Sequence, residues 1–199
     1  MGLVLITPPA EEPVPLGEAL NFLKLDGADD GDVVAAILAA ARQQLEGRGG
    51  WLGRALVTQT WDYTLDRFPE ERRPHEDWPR NVAIRVPLPP LQSVTFVKYV
   101  DLAGVEQVLD PAKYVVTTTE EPGLITPAYQ QIWPYPRQQA AAVTVRFVAG
   151  YGDTAETVPE IIRLAVKLLA AHFYENRGDA PVEVPDHVRA LLVNEIRSW

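Results

Sequence analysis

Cysteine is absent from the 199-residue chain, and methionine occurs once. Without thiols the chain can form no disulfide framework, zinc–thiolate site, iron–sulfur cluster or cysteine nucleophile. The same absence leaves the redox compartment open, since a chain without thiols tolerates either state.

Serine and histidine are also scarce. The two serines, Ser93 in a predicted strand and Ser198 near the last residue, lie outside any Gly-x-Ser-x-Gly nucleophile turn. The three histidines are scattered. His172 lies three residues before Glu175 on a predicted helix, but this pair offers two ligands where a metal site needs about three or four. The glycine-rich segments lack phosphate-binding spacing. We therefore expect no enzyme, no catalytic or metal site and no cofactor.

Basic residues are outnumbered, with 18 Lys and Arg against 27 Asp and Glu, a net charge of −9. Binding to nucleic-acid phosphates needs clustered cations, so this balance argues against tight binding to DNA. No apolar run approaches the roughly 18 residues of a transmembrane helix. The first residues lack the basic segment and long apolar run of a signal peptide. We expect no membrane partner.

Charge and periodicity divide the chain into three parts. Residues 1–47 contain eight acidic and two basic residues, a net charge of −6. Residues 48–149 contain eleven acidic and eleven basic residues, a net charge of 0. Residues 150–199 contain eight acidic and five basic residues, a net charge of −3. The first and last parts show helical spacing and the middle part alternates with period two. The sequence predicts an α+β fold with a helical part at 1–55, a β-rich insertion at 56–150 and a helical part at 151–199 that packs with 1–55.

Helices are predicted at 16–25, 32–46, 159–176 and 185 to about 197. Asp29, Asp30 and Asp32 precede the second helix, where acidic side chains cap free N–H groups. The third helix is apolar over more than one face, so the two N-terminal helices are expected to cover one side and the last helix or a neighbouring subunit the rest. Leu168, His172 and Phe173 are the residues predicted for that subunit interface.

Strands are predicted in one small antiparallel sheet, at 57–65, 82–86, 93–100, 105–109, 114–118, 124–125 and 142–149. Residues 101–104 (DLAG) predict a tight hairpin turn between two of them.

Tryptophan is the most informative aromatic, with five copies. Ile196, Arg197, Ser198 and Trp199 place an aliphatic side chain, a guanidinium and an indole within four residues. Trp and Arg are favoured at binding hot spots, so this segment predicts an anchor for a partner. The alternatives are a disordered tail and a Trp that folds back on its own helices.

Short motifs along nearly the whole chain follow an order that resembles the head–tail connector, or adaptor, proteins of long-tailed phages and phage-like particles. They are PLGEALNFLKLD at 15–26, DVVAAILAAARQQLE at 32–46, LVTQTW at 56–61, VPLPPLQSV at 86–94, YVDLAG at 99–104, YVV at 114–116, VRFVAGYG at 145–152 with Val-Pro at 158–159, Asn-Arg at 176–177 and Val-Pro at 184–185.

The resemblance implies a fold with a helical core from both chain ends and a β-rich insertion. It implies a non-enzymatic role as one subunit of a ring of about twelve copies below the portal protein. The ring would extend the DNA channel without sequence-specific contacts and would dock a stopper or tail-side neck protein. The 196–199 segment would bind the portal. The protein would lie in the neck of a virion or phage-like particle assembled in the bacterial cytoplasm.

Two other functions stay open at this stage. One is a different neck or tail-completion protein of similar build, such as a stopper. The other is a small metal-independent hydrolase that uses Asp or Glu, against which the scarcity of nucleophiles argues.

Overall fold

The fold is α+β, as predicted. A computed structural model describes residues 2–26, 29–70, 82–176 and 184–196. The chain divides into two compact units. The sheet unit comprises Met1–Pro8 and Gln59–Gly150, and the helical unit comprises Pro9–Thr58 and Tyr151–Trp199.

The described residues of the sheet unit form eight strands. They are β1 Gly2–Thr7, β2 Gln59–Leu65, β3 Ile84–Val86, β4 Leu91–Val100, β5 Glu106–Val108, β6 Tyr114–Thr117, β7 Gly123–Pro127 and β8 Val143–Ala149. They form a five-stranded antiparallel sheet in the order β1-β2-β8-β4-β5 and a three-stranded one in the order β3-β7-β6.

Strand β8 shows why period two places one face in the core. Val143, Val145 and Phe147 are buried, whereas Arg146 lies on the opposite face. There Arg146 pairs directly across the sheet with Asp62 of β2 through two hydrogen bonds of 2.7 and 2.8 Å. A cross-strand charged pair stabilises the register that buries the apolar face.

The second sheet lies in contact with the first at a glycine. A side chain at Gly123, the first residue of β7, would meet the Leu91 side chain of β4 at 2.5 Å, closer than atoms pack. Every residue of β7 is buried. A strand that is buried along its whole length is typical of the middle of a covered sheet.

The helical unit contains α1 Leu16–Leu23, α2 Gly31–Leu45, α3 Glu160–Glu175 and α4 Asp186–Leu192. Its core combines helices from both chain ends, since Leu38 and Leu45 of α2, Ile162 and Leu169 of α3 and Leu192 of α4 belong to one buried cluster. This arrangement follows from the apolar stripes at helical spacing in the sequence.

Two local predictions differ from the structure. Residues 2–7, which the sequence places in the N-terminal helical part, form β1 and pair with β2. The predicted single sheet is two sheets. Period two reveals that a strand has one buried face, but it carries no information on the strand's neighbours.

The ends of two helices also differ. Asp30 precedes α2, but its side chain makes no capping bond there and accepts a hydrogen bond of 3.0 Å from the Tyr174 hydroxyl of α3. The Asp30 carboxylate therefore bonds to a side chain of α3, where the sequence predicted a bond to the backbone N–H groups at the start of α2. The last helix, predicted to reach about residue 197, ends at Leu192, and Glu195 N donates to Leu192 O at 2.8 Å in the turn that follows.

The predicted hairpin turn at 101–104 is confirmed. Gly104 N donates to Asp101 O at 2.9 Å, and the Asp101 carboxylate accepts from the amides of Ala103 and Val105. Gly104 has a φ of +86°, a conformation that glycine adopts without steric cost. These hydrogen bonds, that from Val105 first, hold the pKa of Asp101 below its ordinary value.

Candidate interaction surfaces

The predicted portal-binding segment, residues 196–199, follows α4 in the helical unit. Val188 and Leu192 are buried, so the helix is held to the core by the stripe that the sequence predicts. Ile196 is half-buried. Arg197, Ser198 and Trp199 lie outside the described residues, and the role of the 196–199 segment stays a prediction.

A buried arginine holds the chain just before that segment. Arg54 is 2% exposed, and its Nε donates to the Glu195 carbonyl oxygen at 2.8 Å. Its guanidinium carbon lies 5.9 Å from the centre of the Tyr151 ring. An arginine is rarely buried without partners, so these contacts identify Arg54 as a structural element of this end of the unit. Sequence reasoning missed it, because the residue type alone predicts a surface position.

The residues predicted for a subunit interface lie along α3. Leu168 and Phe173 are half-buried and pack against the core of their own helical unit. His172 Nδ1 lies 3.1 Å from the side-chain nitrogen of Asn176, one helical turn further on. The interface role of these three residues stays a prediction.

An ion-pair network joins α1 to α3. Glu18 accepts from Lys167 Nζ at 2.8 Å and also pairs with Arg163, while Glu160 pairs with Lys167 at 3.2 Å. The hydrogen bond from Lys167 lowers the pKa of Glu18, against the effect of burial. Burial acts to lower the pKa of Lys167, but the hydrogen bonds to Glu18 and Glu160 outweigh it and raise that pKa. Glu18 and Lys167 therefore both stay charged at neutral pH.

We predict that Glu18 stabilises the protein only above its folded-state pKa. Because that pKa is lowered, the stabilisation is fully present above the unfolded value, about 4.3, and is lost as pH falls through the folded value. Urea unfolding of wild type and Glu18→Gln is expected to differ by about 1 kcal/mol at pH 7, a modest value because solvent screens a partly exposed pair.

The difference is expected to shrink progressively below pH ~4. The matched control is Glu11→Gln, since Glu11 is exposed. An E18Q deficit that stays constant from pH 7 to pH 3 would contradict the ionic origin of the effect.

The sheet unit carries an uncharged loop after β7 that the sequence analysis did not single out. Tyr129, Ile132 and Tyr135 project from it and are largely exposed, whereas Trp133 is buried. Trp133 stacks on Phe68 with 4.9 Å between ring centres, and its Nε1 donates to Val82 O at 2.7 Å. The available signal was a run without any charge from 122 to 136 that contains three aromatic residues.

The groove beside this loop has a volume of about 490 Å³ and is one candidate for a small-molecule site. Among the described residues, its lining contains one carboxylate, Glu70, which pairs with the exposed Arg67 at 3.8 Å.

In the described ranges no three His, Cys, Asp or Glu residues gather as a metal site would require. None of the described helices has the length and apolarity needed to cross a bilayer.

Comparison with known proteins gives likeness at the level of structure. No protein-family model and no curated protein matches the chain. Chains in solved structures of gene transfer agent (GTA) particles do match it. A chain of the "Neck of empty GTA particle computed with C6 symmetry" has a TM-score of 0.79 at 23% identity, over 100% of this chain and 97% of that one.

Two further structures agree over the same shares of both chains. A chain of the "Virion of native gene transfer agent (GTA) particle" has a TM-score of 0.77 at 24% identity. A chain of the "Neck of native GTA particle computed with C12 symmetry" has a TM-score of 0.72 at 23% identity. The chain therefore shares its fold with chains of GTA particles, two of which come from structures of the particle neck.

Proposed function

We propose that the protein is a structural head–tail adaptor of a phage or phage-like particle. It forms a ring below the portal, extends the DNA channel and docks a stopper or tail-side neck protein. The observation that carries the proposal is the likeness to chains of GTA necks over 100% of this chain and 97% of each matched chain.

A ring of about twelve copies is compatible with both symmetries in those titles. A C12 ring also obeys C6 symmetry, with two copies in each repeat. Within the ring we assign portal binding to Ile196, Arg197, Ser198 and Trp199, and a contact between copies to Leu168, His172 and Phe173.

The charge of the protein suits a conduit for DNA. The net charge of −9 repels phosphates, which favours sliding of DNA over binding to the channel wall. The proposed role is non-enzymatic. We propose a location in the particle neck after assembly in the bacterial cytoplasm.

Cryo-electron microscopy of particles that carry a tagged copy of the chain tests this proposal. The expected result is density for a closed ring on the neck axis, in contact with the portal. Density next to the tail, separated from the portal by another ring, would instead identify a stopper. Isolated copies away from the neck axis would overturn the ring.

A further inference from the structure

Two uncharged apolar surfaces of the sheet unit are left exposed. The first, the loop patch, consists of Tyr129, Ile132 and Tyr135, which are 82%, 81% and 79% exposed. The second, the edge patch, consists of Val4, Leu5 and Ile6 of β1, which are 55%, 41% and 41% exposed. Val4 and Leu5 lie opposite Asp62 and Trp61 of β2 and therefore project from opposite faces, so the edge patch wraps around the strand. Groups of exposed apolar side chains mark interaction surfaces.

The loop patch is held in a defined shape. At its start Ala128 N donates to Lys113 O at 3.0 Å, and beyond its end Arg137 N donates to Val100 O at 2.8 Å. Between them the buried Trp133 anchors the loop to Phe68 and Val82. A loop ordered before it binds loses little conformational entropy on docking, so its tyrosines are suited to be binding hot spots.

The edge patch lies on an outer strand. β1 is at the end of the strand order of its sheet, and residues 2–7 (GLVLIT) contain no charge and no proline. Native edge strands usually carry charged residues, proline or bulges that prevent pairing with other chains. β1 has a register irregularity between Leu5 and Thr7, but it keeps its apolar side chains exposed. Such an edge is suited to be covered by another protein surface.

The distribution of charge indicates which protein covers it. The helical unit contains 16 acidic and nine basic residues, a net of −7, and the sheet unit contains 11 and nine, a net of −2. Copies of one acidic chain repel each other, so their contact is least unfavourable where both surfaces are uncharged. A basic partner would instead be attracted to the acidic helical unit. The two uncharged patches therefore fit a second copy of this chain.

We propose that the loop patch of one copy docks on the edge patch of the next copy in the ring, an inference that rests on the proposed function. The two patches are different surfaces of one chain, so their contact is head-to-tail, and a head-to-tail contact that closes produces a ring. The projecting Tyr129, Ile132 and Tyr135 cover the apolar side chains of β1.

Disulfide trapping tests the contact without interference, because the chain has no cysteine of its own. Particles with Leu5→Cys and Ile132→Cys in the same chain are oxidised and analysed by non-reducing electrophoresis. A ladder that extends beyond dimers is expected, since each copy links to two neighbours. Either single variant is expected to give no ladder.

The matched control combines Ile132→Cys with Val33→Cys. Val33 of α2 is 40% exposed, close to the 41% of Leu5, but lies outside both patches. A ladder as strong in this control as in the L5C/I132C chain would overturn the proposal. So would the absence of a ladder from particles whose necks contain the L5C/I132C chain, a result that leaves the adaptor role intact. Absence of the wild-type chain from the neck would overturn the adaptor role itself.

Charge variants provide a second measurement that does not depend on cysteine geometry. Ile132→Glu is expected to reduce incorporation into particles at least tenfold, because it places a charge in an apolar contact. Combining it with Leu5→Lys is expected to restore incorporation, whereas combining it with Leu5→Glu is not. Circular dichroism of the purified variants verifies folding. Wild-type incorporation of I132E, or equal incorporation of the two double variants, would contradict the proposed contact.

Discussion

Deletion of Arg197 to Trp199 is expected to abolish the joining of heads to tails while the protein still folds. Trp and Arg are the side chains most enriched at binding hot spots, and truncating one costs about 2 kcal/mol or more. Loss of both weakens each copy's attachment by more than tenfold. In a ring the loss is repeated in every subunit, so the effect on assembly exceeds the effect on a single contact. Counting complete particles by electron microscopy measures it.

Single substitutions separate the residues within this segment. Trp199→Ala is expected to show most of the assembly defect of the deletion. Ser198→Ala is expected to assemble normally, since serine is under-represented at hot spots. Circular dichroism and thermal melting distinguish a folding defect from a binding defect. If the truncated chain folds and joins heads to tails at full yield, the segment is not the portal anchor.

Arg54→Ala is expected to destabilise the helical unit by about 2–5 kcal/mol, the range for removal of a large buried side chain. The substitution leaves a cavity and removes the donor to the Glu195 carbonyl oxygen. Arg54→Met is expected to cost much less, because it fills a similar volume and a buried apolar side chain often replaces a charged one at little cost. The free energy of unfolding, measured in urea, is the test.

Arg48 offers the control for this prediction. It lies in the same segment of chain but is exposed, so Arg48→Ala is expected to change stability by no more than about 0.5 kcal/mol. If R54A unfolds at the same urea concentration as R48A, the burial of Arg54 has no energetic consequence. An R54M variant as unstable as R54A would show that the guanidinium's hydrogen bonds matter more than its volume.

Most helices could be predicted from spacing alone. For α2 and α3 the apolar positions recur every three to four residues, so the predicted and observed bounds differ by one residue. The turn at 101–104 could also be predicted, because Asp and Gly at its ends satisfy its hydrogen bonds and its positive φ within four residues. These elements depend on local interactions, which a sequence displays directly.

The site could be predicted only in part. The portal-binding role of the segment at 196–199 is a prediction from residue types, because Trp and Arg have a known preference for interfaces. The loop patch was missed, because no sequence pattern distinguishes the buried Trp133 from the exposed Tyr129 and Tyr135. These three aromatic residues lie within seven positions of one another in the sequence. That distinction depends on Phe68 and Val82, which are more than 50 residues away along the chain.

By itself the sequence determined the helical ends, the strand-rich middle, the acidic charge and the lack of cysteine chemistry. Tertiary structure decided that β1 joins the sheet unit, that the strands form two sheets, that Asp30 bonds to Tyr174 and that Arg54 is buried. The physical reason is the range of the interactions. Periodicity and turn chemistry act over a few residues, whereas pairing partners and burial arise from contacts between distant segments, whose entropic cost is repaid only when the whole core forms.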